Sequence, residues 1–336
     1  MIVMLVILAL SVLAAGFAYS MRVETRLAYN YSRDQDMLWL ARSGVEAVRS
    51  ELAGEMYNPE HAGYDDLEEF VRVAEKCQEL CNGLGADRVT IRITDLESKM
   101  NINMAPQEVL KKALVEVMGL DTQGAAELID SIQDWKDSDD LPQMHGAESE
   151  FYLGLEKPYL AKNGPIDDLT ELLLVKGMTK DLYWGAANPG LRRPDPFGLR
   201  NPGSSEVQSI GFVDLFNTLA RPQINLNTAS AAVLQLLPGV DQRLASEIVQ
   251  IRTEVPLHSP GELINVRGMP PEQIGVMQGY CGVRSFMFET RIDVAFGEAH
   301  KTYVAVLFRG SGRDVQVLAA GWDVESGPTE TNSSKN

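Results

Sequence analysis

MIVMLVILALSVLAAGFAYSM, Met1 to Met21, carries no charged residue. As a helix its apolar run through Tyr19 spans ~29 Å, the depth of a bilayer's hydrocarbon core. The run predicts a transmembrane helix. A secretory signal peptide opens with Lys or Arg ahead of its apolar stretch, whereas the first basic residue here is Arg22. Ala14, Ala15, Gly16 and Ala18 keep a cleavable signal as the lesser alternative. Beyond Met21 the helical pattern continues. RVETRLAYNYSRDQDMLWLARSGVEAVRSELAGE, Arg22 to Glu55, contains no proline, and Leu38, Ala41, Val45 and Val48 fall at three-and-four spacing. One helix from Met1 to about Leu52 is ~78 Å long.

Outward from this helix, 336 residues with 45% hydrophobic and 23% charged content supply cores for two or three domains. The net charge of -17 and pI near 4.7 argue against a nucleic acid or anionic membrane surface held by bulk electrostatics, and are compatible with cations. Cys77, Cys81 and Cys281 are odd in number. Cys77 and Cys81 share a helical face, which leaves their pairing open.

Arg88 to Thr94 alternates in period two and predicts a strand. A helical unit then appears twice. Asn101, Asn103, Ala105, Val109 and Leu110 align with Asn225, Asn227, Ala229, Val233 and Leu234. Gly119, Asp121, Ala125 and Glu127 align with Gly239, Asp241, Ala245 and Glu247 after a short adjustment. Glu171, Leu172, Val175, Gly177 and Met178 align with Glu262, Leu263, Val266, Gly268 and Met269. Such internal repetition predicts two copies of an N-capped helix, a glycine turn, a second helix and a short helix closed by a positive-φ glycine.

The first copy carries about thirty extra residues between its halves, and these hold DWKDSDDLPQMHGAESE, Asp134 to Glu150. Asp134, Asp137, Asp139, Asp140, Glu148 and Glu150 stand there against Lys136 and His145. Carboxylates so dense repel unless a cation sits among them, and hard oxygen donors suit calcium. The alternative is a solvated acidic loop. An EF-hand is excluded, because a loop counted from Asp137 puts Leu141 and Pro142 where an oxygen ligand and a glycine belong.

LLPGVDQRLASEIVQIR resembles a helix-hairpin-helix, a module that often binds DNA backbone. Asp241, Asp121 and Glu127 oppose that use. Residues 186–208 read as a Pro/Gly-rich surface loop, and Ile210 to Leu219 as a strand or short helix. From Gly282 onward three antiparallel strands are expected, with turns at Gly297-Glu298 and Gly310-Ser311-Gly312, lying against the long helix. The end is a polar tail.

The apolar start, SGVEAV on the stalk, the paired NIN and NLN motifs, DWKDSDD and GAESEFY together resemble the K-type minor pseudopilins of type II secretion systems. The resemblance implies an α+β, pilin-like fold with a long N-terminal transmembrane and stalk helix, a small antiparallel sheet and a large α-helical insertion containing two helix-hairpin-helix-like repeats. The expected divisions are a transmembrane part, 1–21; stalk and first pilin part, 22–99; inserted helical domain, 100–280; C-terminal sheet, 281–325; and disordered tail, 326–336.

The resemblance also implies a non-enzymatic subunit of the bacterial inner membrane with its globular part in the periplasm. It would sit at the pseudopilus tip and help initiate assembly, calcium being held by the six carboxylates. Partners implied are other minor pseudopilins, met along Leu38, Ala41, Val45 and Val48, the major pseudopilin, and prepilin peptidase, with no nucleic acid. Most pseudopilins have glutamate at the fifth mature position; Leu5 stands there, which fits a subunit with no neighbour above it. The chain reads as starting at the mature end. A membrane-tethered DNA-uptake protein is the alternative. Catalysis is disfavoured, since no nucleophile elbow or phosphate loop occurs and His61, His145, His258 and His300 are scattered.

Overall fold

A computed structural model describes residues 2–58, 63–83, 88–185, 210–296, 299–311 and 314–323. The proline-free N-terminal run forms one helix, α1 (Ile2–Glu55), as its periodicity requires. Helix α2 (Leu67–Asn82) follows, capped by the Asp66 carboxylate, which accepts the Glu69 amide. Strand β1 (Arg88–Asp95) then leads into the helical insertion.

The insertion contains β2 (Met100–Asn101), α3 (Gln107–Lys112), α4 (Thr122–Lys136), α5 (Ser149–Leu153), α6 (Lys180–Trp184), α7 (Phe212–Leu215), β3 (Phe216–Asn217), β4 (Ile224–Asn225), α8 (Ala231–Leu234), α9 (Gln242–Glu254), α10 (Pro271–Met277) and β5 (Cys281–Gly282). Strands β6 (Met287–Phe296), β7 (Ala299–Ser311) and β8 (Asp314–Trp322) close the chain. The sheet order is β1-β6-β7-β8, all antiparallel. Its fourth strand is the early one: Ile91 pairs with Ile292 across the whole insertion. Ile210–Leu219 is helix and strand in succession, α7 then β3. The predicted loop 186–208, the turn at Gly297-Glu298, Gly312 of the next turn and the tail 326–336 lie outside the described residues.

Alternation along β1 and β6 turns Val89, Ile91, Ile93, Phe288, Ile292 and Val294 toward α1, whose Met37, Leu40, Ala41, Val45, Val48 and Leu52 are buried against them. Gly44 makes this close approach possible, because a Cβ there would lie 2.8 Å from Ile292 Cδ1. Burial of Ala41, Val45 and Val48, with Leu38 partly buried beside them, corrects the expectation that this stripe receives partner subunits. Three-and-four apolar spacing says that a face is covered and does not say by what; here the chain's own sheet covers it. Trp39, Arg42, Glu46 and Arg49 occupy the exposed side.

A second core belongs to the insertion, from Met100 to Val283. Its two copies are alike in detail. Gly119 and Gly239 turn at φ 75° and 74°, and Gly177 and Gly268 at 85° each, conformations that favour glycine. Asn103 clamps Ile166 through both amide atoms, donating Nδ2 to its carbonyl and accepting its N–H at 2.8 Å each. Asn227 does the same to Leu257, at 2.9 Å each. Lys136 donates to the Ile102 carbonyl as Arg252 does to that of Leu226, its aligned counterpart. The NxN motifs are therefore staples that tie each copy's first half to its second.

Cys77, Cys81 and Cys281 are all buried thiols. Burial pushes Cys77 and Cys281 up to about 12 and raises Cys81 too, so none is poised as a thiolate.

Candidate metal centre

Helix α4 starts at Asp121, whose carboxylate caps the Gln123 and Gly124 amides, and ends with Asp137 as its C-terminal cap. Asp134 and Asp137 thus sit on the last turn, where the helix dipole presents partial negative charge and draws cations. The chain loops out through exposed Leu141 and Met144 and returns at Glu148, which precedes α5.

The return is fixed by Asp134. Its carboxylate accepts the Gln143 amide at 3.0 and 3.2 Å and the Ala147 amide. Gly146 passes directly over it, and Lys176 of the matching second half donates to the His145 and Gly146 carbonyls at 3.0 and 3.1 Å. Beneath lies an aromatic floor, with Trp135 edge-on to Tyr152 at 5.3 Å and Tyr152 stacked on Tyr159 at 5.2 Å.

Three of the six expected carboxylates converge: one oxygen each of Asp134, Asp137 and Glu148 lies within 4.8 Å of the others. Asp139 and Asp140 are exposed and serve the loop itself. Asp139 Oδ1 accepts the Leu141 amide, and Asp140 Oδ1 accepts Asn163 Nδ2. Glu150 is exposed in the first turn of α5.

Both oxygens of Glu148 and Oδ1 of Asp137 are buried with no hydrogen-bond partner among the described residues. Burial, then Asp134, Asp137, Asp140 and Asp139 in turn, push Glu148 up to about 7. Asp134 is raised by burial ahead of Asp130 and Asp139, and Asp137 by burial ahead of Asp139 and Asp134. Buried carboxylate oxygens without donors are costly, and a hard divalent cation bound by oxygen supplies the missing partner. The donor set fits calcium.

Sequence reasoning missed Gly146, Lys176 and Asn163, which shape the loop. Asn163 is a non-glycine residue at φ 48° that donates Nδ2 to the Asp139 carbonyl at 3.1 Å. Its Asn-Gly position was the available signal for a left-handed turn.

Stalk helix, four-stranded sheet and nested helical insert define a pilin-like fold. Its α1 is long and apolar enough to cross a membrane, and no part of the apolar window is covered by the rest of the described chain. The family model for type II secretion system protein K matches residues 91–186, and a helix-hairpin-helix motif model matches residues 220–281. The chain is 22% identical to type II secretion system protein K of Aeromonas hydrophila, over 95% of this chain and 94% of that protein. Against the protein of the same name from Pectobacterium carotovorum subsp. carotovorum identity is 26%, over 68% of each. The fold matches a chain from the crystal structure of the GspK-GspI-GspJ complex of enterotoxigenic Escherichia coli with a TM-score of 0.62 and 18% identity, covering 88% of this chain and 99% of that one. These matches bear out the resemblance to the K-type minor pseudopilins of type II secretion.

Proposed function

We propose that the protein is a structural minor pseudopilin that sits at the tip of the type II pseudopilus and helps initiate its assembly. The observation that carries this reading is the placement of the insertion. It interrupts the sheet between β1 and β6 and stands as a second core beside the stalk-packed one, a bulk suited to a filament's end rather than its repeating wall. In this account α1 anchors the chain in the inner membrane and the rest is periplasmic.

The partners are other minor pseudopilins, as the relative solved with GspI and GspJ suggests. With the Leu38–Val48 stripe occupied by the chain's own sheet, they meet α1 on its exposed apolar length and at Trp39, which is 65% exposed. Calcium is held by Asp134, Asp137 and Glu148 and fixes the acidic loop. Its role is structural: bound there it neutralises the buried carboxylates, while Lys176 and Asp134 set the loop's path.

The helix-hairpin-helix units act as packing elements. Lys112 of the first copy donates to the Leu237 and Val240 carbonyls in the second copy's hairpin, at 2.7 and 2.8 Å. Glu108, Glu116 and Asp241 line the groove beside it, a poor surface for a phosphate backbone.

The test is to locate the tagged protein in assembled pseudopili by electron microscopy, together with co-purification from membranes. Labels confined to one filament end, with other minor pseudopilins retained, support the proposal. Incorporation along the whole length defeats it.

A further inference from the structure

Where the sheet meets the insertion, the described residues contain a buried acidic joint that neither the fold nor the metal centre explains. Asp65, Glu69, Asp95 and Glu97 are each at most 3% exposed, and Arg309, fully buried, is the guanidinium set among them. Arg309 Nη2 donates to Asp65 Oδ2 at 2.5 Å and to the Ser285 carbonyl at 2.7 Å. Ser285 completes the link to the insertion. Its amide donates to Asp65 at 2.7 Å and its hydroxyl to Asp95 at 2.6 Å, while Asn225 donates to that hydroxyl at 2.7 Å and Thr228 donates to Asp95 at 2.5 Å. Arg309 thus holds β7, the loop before α2 and the second helical copy together.

Glu69 is the odd member. Among the described residues both of its oxygens lack a hydrogen-bond partner, and so do Nε and Nη1 of Arg309, with Nη1 standing 4.0 Å from Glu69 Oε1. Arg309 is therefore committed to one acid while a second stands just out of reach. A buried carboxylate placed so favours its protonated form; ionised, it sets a second charge beside Asp65 and pulls the free Nη1 toward itself, turning the guanidinium out of its alignment with Asp65 and the Ser285 carbonyl.

We propose that Glu69 is a proton-held switch: protonated, it leaves Arg309 locking the sheet to the insertion through Asp65 and Ser285, and ionised, it draws Arg309 away and loosens that joint. The surrounding charges agree with the geometry. Burial first, then Asp65, with Glu55 of α1 and Asp66 adding and Arg309 opposing, push Glu69 up to about 8. Glu55 is itself paired with Arg72 at 3.2 Å. On the far side, burial and Asp95 push Glu97 up to about 8 against the amides of Phe286 and Met287 and the charge of Arg221, and burial pushes Asp95 up to about 6.

The sign follows from linkage. A folded-state carboxyl raised above its unfolded value binds its proton more tightly when folded, so the stability it contributes is fully present below about 4.5, declines as pH rises from there through about 8, and levels off above.

The experiment is hydrogen exchange and thermal melting of the full chain in detergent, at fixed calcium, from about pH 5.5 to about pH 9. Protection of the Ser285 amide, corrected for intrinsic exchange and referenced to Ala305 at the sheet centre, should fall about tenfold or more between about pH 5.5 and about pH 8 and level off above it. Glu69→Gln should hold that protection level across the range, and Glu97→Gln should leave the fall at Ser285 in place. The proposal is overturned if Ser285 protection in the wild type does not fall relative to Ala305, or if Glu97→Gln abolishes the fall while Glu69→Gln keeps it. Should Glu69→Gln fail to fold, the fall of Ser285 relative to Ala305 in the wild type together with its persistence in Glu97→Gln decides.

Discussion

The α-carbon of Gly146 faces the carboxylate of Asp134 so closely that a Cβ on Gly146 would overlap Oδ2. The acidic loop therefore closes over its ligand only because residue 146 has no side chain, its own φ being unexceptional. Gly146→Ala should displace Asp134 and abolish calcium-dependent stabilisation while the stalk and sheet melt as before. Circular dichroism melts of the full chain in detergent, with calcium and with EDTA, check this. An unchanged calcium shift in the variant contradicts it.

Glu148 links the centre to pH. Its carboxyl is pushed up to about 7 by burial and by the neighbouring aspartates. In EDTA the folded protein holds this proton, so metal-free stability declines as pH rises from about 4.5 through 7, and calcium affinity climbs over the same interval. Glu148→Gln should flatten the decline, raise the metal-free midpoint by ~2–4 °C at alkaline pH and remove the calcium response. Melting midpoints against pH, with and without calcium, provide the reading.

Gly44 lets the stalk lie close on β1 and β6, where a Cβ would meet the tip of Ile292 at 2.8 Å. Gly44→Val drives a branched side chain into Ile292 and Ile91, an overpacking that costs ~1–3 kcal/mol. Denaturant midpoints should fall accordingly, and the calcium response of the insertion should survive.

The two asparagine staples should separate by function. Asn227→Ala leaves the buried Leu257 amide and carbonyl unpaired, at a cost of ~1–3 kcal/mol, without touching calcium binding. Asn103→Ala removes the clamp on Ile166, which closes the acidic insert at its base, and should weaken calcium binding as well as stability. Calcium titration of both variants distinguishes them.

Trp39 stands on the exposed side of the stalk. Trp39→Ala should reduce co-purification with other minor pseudopilins and leave the protein's own melting within ~0.5 kcal/mol, as a surface substitution does.

The long helix, the nested insertion and the duplication were legible in the sequence because each rests on periodicity: absence of proline through Glu55, alternation from Arg88, and aligned glycines whose matched φ values later agree. What covers Ala41, Val45 and Val48 was not legible, since an apolar stripe records burial and no partner. The six acids of the insert were visible as charge, but which converge depends on the loop's path. That path is set by Gly146 and by Lys176, the latter 30 residues away. The joint around Glu69 was hidden altogether, because charge on an amphipathic helix is read as solvent-facing, and only the approach of Arg309 from β7 shows otherwise.

The most direct test of the account is calcium itself. The full chain in detergent is melted in EDTA, in calcium and in magnesium, beside the Asp134→Asn, Asp137→Asn and Glu148→Gln variants. The account predicts stabilisation by calcium alone, ~2.7 kcal/mol at a hundredfold excess over the dissociation constant, lost in each variant. Equal midpoints in all three conditions for the wild type would contradict it and leave Asp134 to Glu150 a solvated acidic loop.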